Sequence, residues 1–415
     1  MPGLALIDYG CHSYTYRLAA RLYDHGTPIR YFVNGSLESP NRQSLVDWER
    51  ENPSLVRNIR CSRDYGKMSL RKRLRGELDW GGVCIRALEE ERPSAVVVSC
   101  VPLTAVTRIQ FWTSHHEVPL IYWLQDFQGR AIHELLGAKF GFPGRVIGSF
   151  ADIWEQELLG RSRMVITIAA GHDAALPRSV RNEGRYALLQ NWADIDKLPV
   201  LDSSNDWSRR FGLDKTRNVV YSGTLGMKHN LKVFSAMAAA FKHLPDVRIV
   251  VVSNGRAADR VRREAARDGL DNLIVLPFQP DSDVAKVLAS AAVLVASLEP
   301  SAGGFCVPSK VLSYLCAGRP IVIALDSQNQ AAQMIQSAGA GAVVPPGNTP
   351  AFVAAVAEAL QYPERSTQQG LAARAYAVRL FDLDAIAAQF SQILRMAVAG
   401  LPGARLSPSL GTSQA

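Results

Sequence analysis

Cysteine is sparse and scattered. The six thiols, at positions 11, 61, 84, 100, 306 and 316, form no Cys-x-x-Cys pair. That argues against a structural zinc site or a disulfide framework and fits a reducing compartment. Long apolar runs are missing too. No stretch approaches the roughly 20 residues that span a bilayer. The opening MPGLALIDYG has no basic segment ahead of an apolar core, so no secretory leader is expected. No Gly-x-Ser-x-Gly elbow appears, which argues against a hydrolase. No Gly-x-Gly-x-x-Gly opens the first strand–helix unit and Gly-Lys-Ser/Thr is absent, which argues against a dinucleotide oxidoreductase and a Walker loop.

What is present suits a globular chain. Its 415 residues, 47% hydrophobic and 20% charged, exceed one ordinary core and suggest two domains. The net charge of +8 is uneven. Arg57, Arg60, Arg63, Lys67, Arg71, Lys72, Arg73 and Arg75 face only Asp64 in that stretch. Such a patch either serves solubility as a solvated helix face or attracts anionic lipid or polyphosphate. Interleaved aromatics and nucleic-acid-binding motifs are missing, so no nucleic-acid partner is expected. The expected location is cytoplasmic, peripheral on the inner face of the cytoplasmic membrane.

Strands and helices alternate. LALIDYG, PIRYFVNG, SAVVVSC, PLIYWLQD, RMVITIAA and RYALLQN read as strands of a first half. A helical region from Ile132 to Leu159 is interrupted at Gly141, Pro143 and Gly144. The polar segment after Asp194 reads as a linker. NVVYSG, VRIVVVS, NLIVLPF, AAVLVASL, PIVIAL and AGAVVPP then read as strands of a second half. This order predicts α/β architecture with parallel sheets and a cleft at the carboxyl ends of the strands. The expected boundaries are 1–192, a linker at 193–217, a second domain at 218–375, a helix at 376–398 and a disordered tail at 399–415.

Two loops carry candidate chemistry. After NVVYSG come Gly223, Thr224, Gly226 and Lys228; the glycines suit either a plain tight turn or close backbone approach to a phosphate. After AAVLVASL come Gly303, Gly304, Pro308, Ser309 and Lys310. Pro308 suits the first turn of a helix and Gly318 the position past its end. Lys310 opposes the macrodipole there; it either snorkels to solvent or meets a bound anion. Together the loops suit a diphosphate.

YSGTLGMKHN, VVVSNG, NLIVLPFQP and VPSKVLSYLCAGRPIV, in that order, resemble the nucleotide-sugar-binding half of GT-B glycosyltransferases. The branch is the retaining family-four type of bacterial O-antigen, colanic-acid and exopolysaccharide synthesis, and WLQDFQG and LLQNWADIDKLP are also similar to it. The resemblance implies two doubly wound Rossmann-like domains facing across a cleft, with a C-terminal helix crossing back. It implies sugar transfer from a UDP- or GDP-sugar to a polyprenyl-linked or polysaccharide acceptor, with no metal or other cofactor. The diphosphate would sit on Gly223, Thr224, Gly226, Lys228, Ser309 and Lys310. The nucleotide and sugar would lie near Gly10, Asn254, Gly255, Gln279, Glu299 and Ser313. His12 and Asp126 would lie near the reacting sugar as catalytic or positioning groups.

The chain departs from the family where two glutamates are usual: Phe305 and Ser313 stand there, and Thr224 replaces an arginine. Three Asp-x-Asp pairs (194/196, 281/283 and 382/384) are too scattered to suggest a metal site, and His115, His116 and Glu117 read as a surface turn. Two rivals remain: a nucleotide-sugar epimerase of the same architecture, and a non-catalytic GT-B scaffold subunit.

Overall fold

The computed structural model describes residues 3–10, 12–36, 46, 49–61, 70–226, 229–300 and 308–403. The chain divides into two compact units, Met1–Gln190 with Leu383–Ala415, and Asn191–Asp382.

The first unit contains β1 (Leu4–Asp8), α1 (Ser13–Asp24), β2 (Ile29–Asn34), β3 (Val56–Ile59), α2 (Leu70–Glu91), β4 (Ala95–Ser99) and α3 (Leu103–His115). It continues with β5 (Leu120–Leu124), α4 (Gln128–Arg161), β6 (Met164–Thr167), α5 (Arg178–Asn182) and β7 (Tyr186–Leu188). The parallel sheet has the order β3-β2-β1-β4-β5-β6-β7. All residues of β1, β4 and β5 are buried, because helices cover both faces of such a sheet. β3, at the edge, is the short polar segment VRNI, which the apolar pattern did not disclose. The basic stretch is therefore no single helix face. Arg57 lies in β3 and pairs with Glu90, Lys72 and Arg75 lie in α2, and Arg63 and Lys67 lie outside the described residues.

The second unit contains α6 (Asp206–Arg210), β8 (Arg217–Ser222), α7 (Lys232–Ala240), β9 (Val247–Val252), α8 (Arg256–Arg267), β10 (Leu273–Leu276) and α9 (Asp281–Ala289). After these come β11 (Ala291–Ser297), α10 (Lys310–Cys316), β12 (Ile321–Ala324), α11 (Gln330–Ala338), β13 (Gly341–Val344), α12 (Thr349–Gln361) and α13 (Pro363–Leu380). Its parallel sheet has the order β10-β9-β8-β11-β12-β13. Segment 191–216 packs within this unit: the indole of Trp207 is fully buried and donates to Gln279 Oε1 at 2.9 Å.

The last helix, α14 (Leu383–Ala399), belongs to the first unit. Its Phe390 is fully buried with its ring centroid 5.3 Å from that of Trp123 on β5. Beyond it, Gly403 N–H donates to Gly184 O at 2.6 Å, so residues 400–403 are tied to the same unit; 404–415 lie outside the described residues.

Candidate functional site

In each sheet the strand order reverses beside the first strand of the unit, between β1 and β4 and between β8 and β11. Crevices open at such reversals, beyond the carboxyl ends of the strands. Gly10, His12, Gly223, Thr224 and Gly226 lie in loops at these two places, whereas Asp126, Asn254, Gly255 and Gln279 follow the neighbouring strands β5, β9 and β10.

In the second unit, β8 ends at Ser222 and the chain turns at Gly223, whose φ of 140° favours glycine. A Cβ there would also lie 3.0 Å from Lys310 Cε. Tyr314 of α10 holds the turn, its hydroxyl accepting from Ser222 N–H at 3.0 Å. Thr224 is exposed, and its carbonyl accepts from Tyr221 hydroxyl at 2.9 Å. α10 begins at Lys310, with Ser309 at its N-cap, slightly later than Pro308 had suggested. Gly318 lies past its end with φ 66°.

Lys310 does not simply trail into solvent. Its Nζ lies 3.3 Å from His229 Nε2 and 5.1 Å from the centroid of the Tyr221 ring. An ammonium has donors only, so Nε2 accepts. Nδ1 then carries the hydrogen and donates to Gly226 O at 3.3 Å. The other tautomer, with Nδ1 accepting from Gly226 N–H at 3.0 Å, would turn an N–H against the ammonium. His229 thus ties the β8 loop to α10. Gly226, His229, Asn230, Arg256, Arg260 and Glu299 share the lining of a cavity of about 560 Å³.

Asn254 and Gly255 precede α8; Gly255 has φ 89° and Asn254 Oδ1 accepts from Phe278 N–H at 2.9 Å. Gln279 gives its side chain to Trp207 and to Pro277 O, the latter at 2.8 Å. Ser313 is half-buried on α10. Lys228, Gly303, Gly304 and Phe305 lie outside the described residues.

In the first unit, sequence reasoning named Gly10, His12 and Asp126 but missed Asp8, the group that organises two of them. Asp8 is fully buried at the end of β1. Its carboxylate accepts from Gly10 N–H at 2.9 Å, His12 N–H at 2.6 Å, Tyr31 hydroxyl at 2.9 Å and the Thr15 hydroxyl. His12 Nδ1 lies 2.9 Å from Asp8 Oδ1. A Cβ on Gly10 would lie 1.9 Å from His12 Cε1, so a larger residue there would displace the imidazole from this position. Burial alone would raise the Asp8 pKa, but the His12 charge and the hydrogen bonds of His12 and Thr15 overcome it and hold the carboxyl below its ordinary value. Burial likewise works against imidazolium at His12, yet Asp8 and Cys100 hold its pKa well above the ordinary value. Beside it, Tyr14 hydroxyl lies 3.3 Å from Cys100 Sγ. Cys100 follows β4 with φ 52°. Asp126 is exposed in the turn between β5 and α4.

One member of each Asp-x-Asp pair is engaged in another contact. Asp283 pairs with Lys286 at 3.1 Å and Arg210 at 3.5 Å, and Asp384 with Arg21 at 3.4 Å and His25 at 3.0 Å. Asp194 accepts from Lys197 N–H at 3.4 Å. His116 pairs with Glu89 at 3.4 Å. Among the described residues, no group of three or more His, Cys, Asp or Glu side chains is placed to hold a metal ion.

Two doubly wound parallel sheets, each with candidate residues at its strand reversal, define the GT-B class of fold. Comparison with known proteins agrees. Residues 216–362, which contain both loops of the second unit, match the family described as Glycosyl transferases group 1. Over nearly the whole chain the fold is similar to HepE from Anabaena, solved in complex with UDP-glucose. The TM-score is 0.70 at 13% identity, covering 95% of this chain and 99% of that one. Sucrose-phosphate synthase from Thermosynechococcus elongatus has a TM-score of 0.71 at 15% identity, covering 96% and 100%. WaaG, a glycosyltransferase involved in lipopolysaccharide biosynthesis, has a TM-score of 0.66 at 14% identity, covering 94% and 99%. No curated protein matches the chain by sequence.

Proposed function

We propose that the protein is a glycosyltransferase that moves a sugar from a UDP- or GDP-sugar to a lipid-linked or growing polysaccharide acceptor. The transfer retains anomeric configuration and uses no metal. The observation that carries this reading is the joining of two loops by Lys310 and His229 within the segment that matches the glycosyltransferase family. The likeness to HepE, solved with UDP and with UDP-glucose, supports the class of donor.

Cleaving a sugar–phosphate bond places negative charge on the leaving diphosphate. Lys310 and Lys228, with Ser309, Thr224 and the backbone at Gly223 and Gly226, stabilise that charge. The nucleoside lies along Asn254, Gly255 and Gln279, and the sugar is directed by Glu299 and Ser313. In a retaining front-face reaction the leaving phosphate itself takes the acceptor proton, so His12 and Asp126 act mainly by positioning, with Gly10 admitting the donor closely. The acceptor side is the first unit. Removing a hydrogen bond from a charged donor to a bound phosphate costs about 1.5–3 kcal/mol. Calorimetric titration of UDP and GDP into the wild type and Lys310→Ala tests the site. The expected result is binding of one nucleotide, weakened about a hundredfold by the substitution. Equal affinity in both proteins would refute the assignment.

The reading also holds the enzyme at an anionic membrane surface, where a polyprenyl-linked acceptor would reside. Exposed Arg60 and Arg75 support this. Among the described residues no helix is long and apolar enough to cross a membrane.

A further inference from the structure

α4 is a single stretch in sequence but two helices in space. At Gly141 the backbone adopts φ 64° and ψ −139°, a conformation open to glycine, and the chain doubles back. The arms lie against each other antiparallel. A Cβ on Gly129 would lie 2.6 Å from Asp152 Cα, one on Gly148 2.3 Å from His133 Cα, and one on Gly144 1.9 Å from Leu136 O. Each step toward the tip on one arm is matched by a step back on the other. Glycine at these contacts brings the backbones closer than any side chain would permit, and so leaves the bulky residues on the outside. The base is fastened by Glu155, which accepts from Gln128 N–H and Gly129 N–H, both at 2.9 Å.

The outside is apolar. Phe142 at the turn is 79% exposed, Phe150 68%, Ile153 63% and Ile147 60%. From 135 to 151 the charged residues are Lys139 and Arg145, with no acid among them. A water-soluble surface seldom presents so many large apolar side chains together. Apolar tips flanked by cations match the acyl boundary beneath an anionic headgroup layer. We propose that this glycine-stitched hairpin inserts its aromatic tip into the surface of an anionic lipid bilayer. Its role rests on the reading of a membrane-held acceptor, but its physics does not depend on sugar transfer.

Flotation of the full chain with vesicles tests it, using phosphatidylglycerol-containing and pure phosphatidylcholine vesicles and no donor or acceptor. The wild type floats with the anionic vesicles. Phe142→Ser combined with Phe150→Ser lowers binding about tenfold or more while its melting curve stays that of the wild type. In a second variant, Phe142→Trp, indole fluorescence shifts to the blue on vesicle addition and is quenched by brominated lipid. Three results would overturn the proposal. They are a wild type that fails to float, a double variant that binds as the wild type does, and a double variant that turns a wild-type dimer into a monomer with flotation unchanged, which would mean that a second copy covers the hairpin. A protein that floats but turns over no nucleotide sugar would refute the transferase reading and leave the hairpin assignment standing.

Discussion

At the carboxyl end of β1, a buried carboxylate and a histidine one helical turn on form a coupled pair. Asp8, its pKa held below the ordinary 3.8, stabilises the fold above that value and loses the contribution as pH falls through its folded pKa. His12, raised above the ordinary 6.5, contributes fully below 6.5 and loses the contribution as pH rises through its folded pKa. The pair therefore stabilises most between these two ordinary values and less on either side. Asp8→Asn should flatten this dependence and return the His12 titration toward its ordinary range, measured by proton NMR of the imidazole. His12→Gln should flatten the same profile on its alkaline side. An unshifted His12 titration in Asp8→Asn would contradict the pairing. Asp8 escaped sequence reading because a lone acid closing a strand also suits an ordinary turn. The available signal was an acid at the end of a wholly apolar run with His12 four and Thr15 seven residues on. Gly10 and His12 were named through the family resemblance, which places the loop after the first strand beside the donor.

At the scale of elements, the α4 hairpin shows how far pattern reading reaches. Gly141, Pro143 and Gly144 mark an interruption in the sequence, but which glycines meet which partners depends on how the arms pair. Likewise β3 and α13 were not anticipated. VRNI is a short polar edge strand, and PERSTQQGLAARAYAVRL lacks a clear apolar stripe. The hairpin base has a pH signature. Burial raises the Glu155 pKa to about 7, against the two N–H groups that favour its charge. A raised pKa stabilises fully below the ordinary value of 4.5 and is lost as pH rises through about 7. The melting temperature should therefore fall over that range, and Glu155→Gln should remove the slope. A slope that persists in the variant would contradict this. At Gly148 the expected effect is steric: Gly148→Leu should lower the melting temperature by several degrees, whereas a substitution on the outer face, such as Ile147→Ser, should leave it nearly unchanged.

For the whole molecule, the alternation of strand and helix was plain because strands covered on both faces read as continuous apolar runs. The return of α14 to the first unit came from family resemblance, since its apolar stripe alone does not say what it packs on. Its anchor is Phe390 against Trp123. Phe390→Ala should cost about 3–5 kcal/mol, read in denaturant unfolding as destabilisation of the first unit; a loss within experimental error would mean that α14 is dispensable. The catalytic reading is tested most directly by turnover. Purified protein, a membrane extract and a panel of UDP- and GDP-sugars are incubated together, and free nucleotide, donor identity and lipid-linked product are followed by mass spectrometry. The expected result is nucleotide release matched by sugar appearing on a lipid-linked or polysaccharide product. Interconversion of the donor without release would indicate an epimerase, and no turnover of any donor would indicate a binding or scaffold protein; either result would contradict sugar transfer.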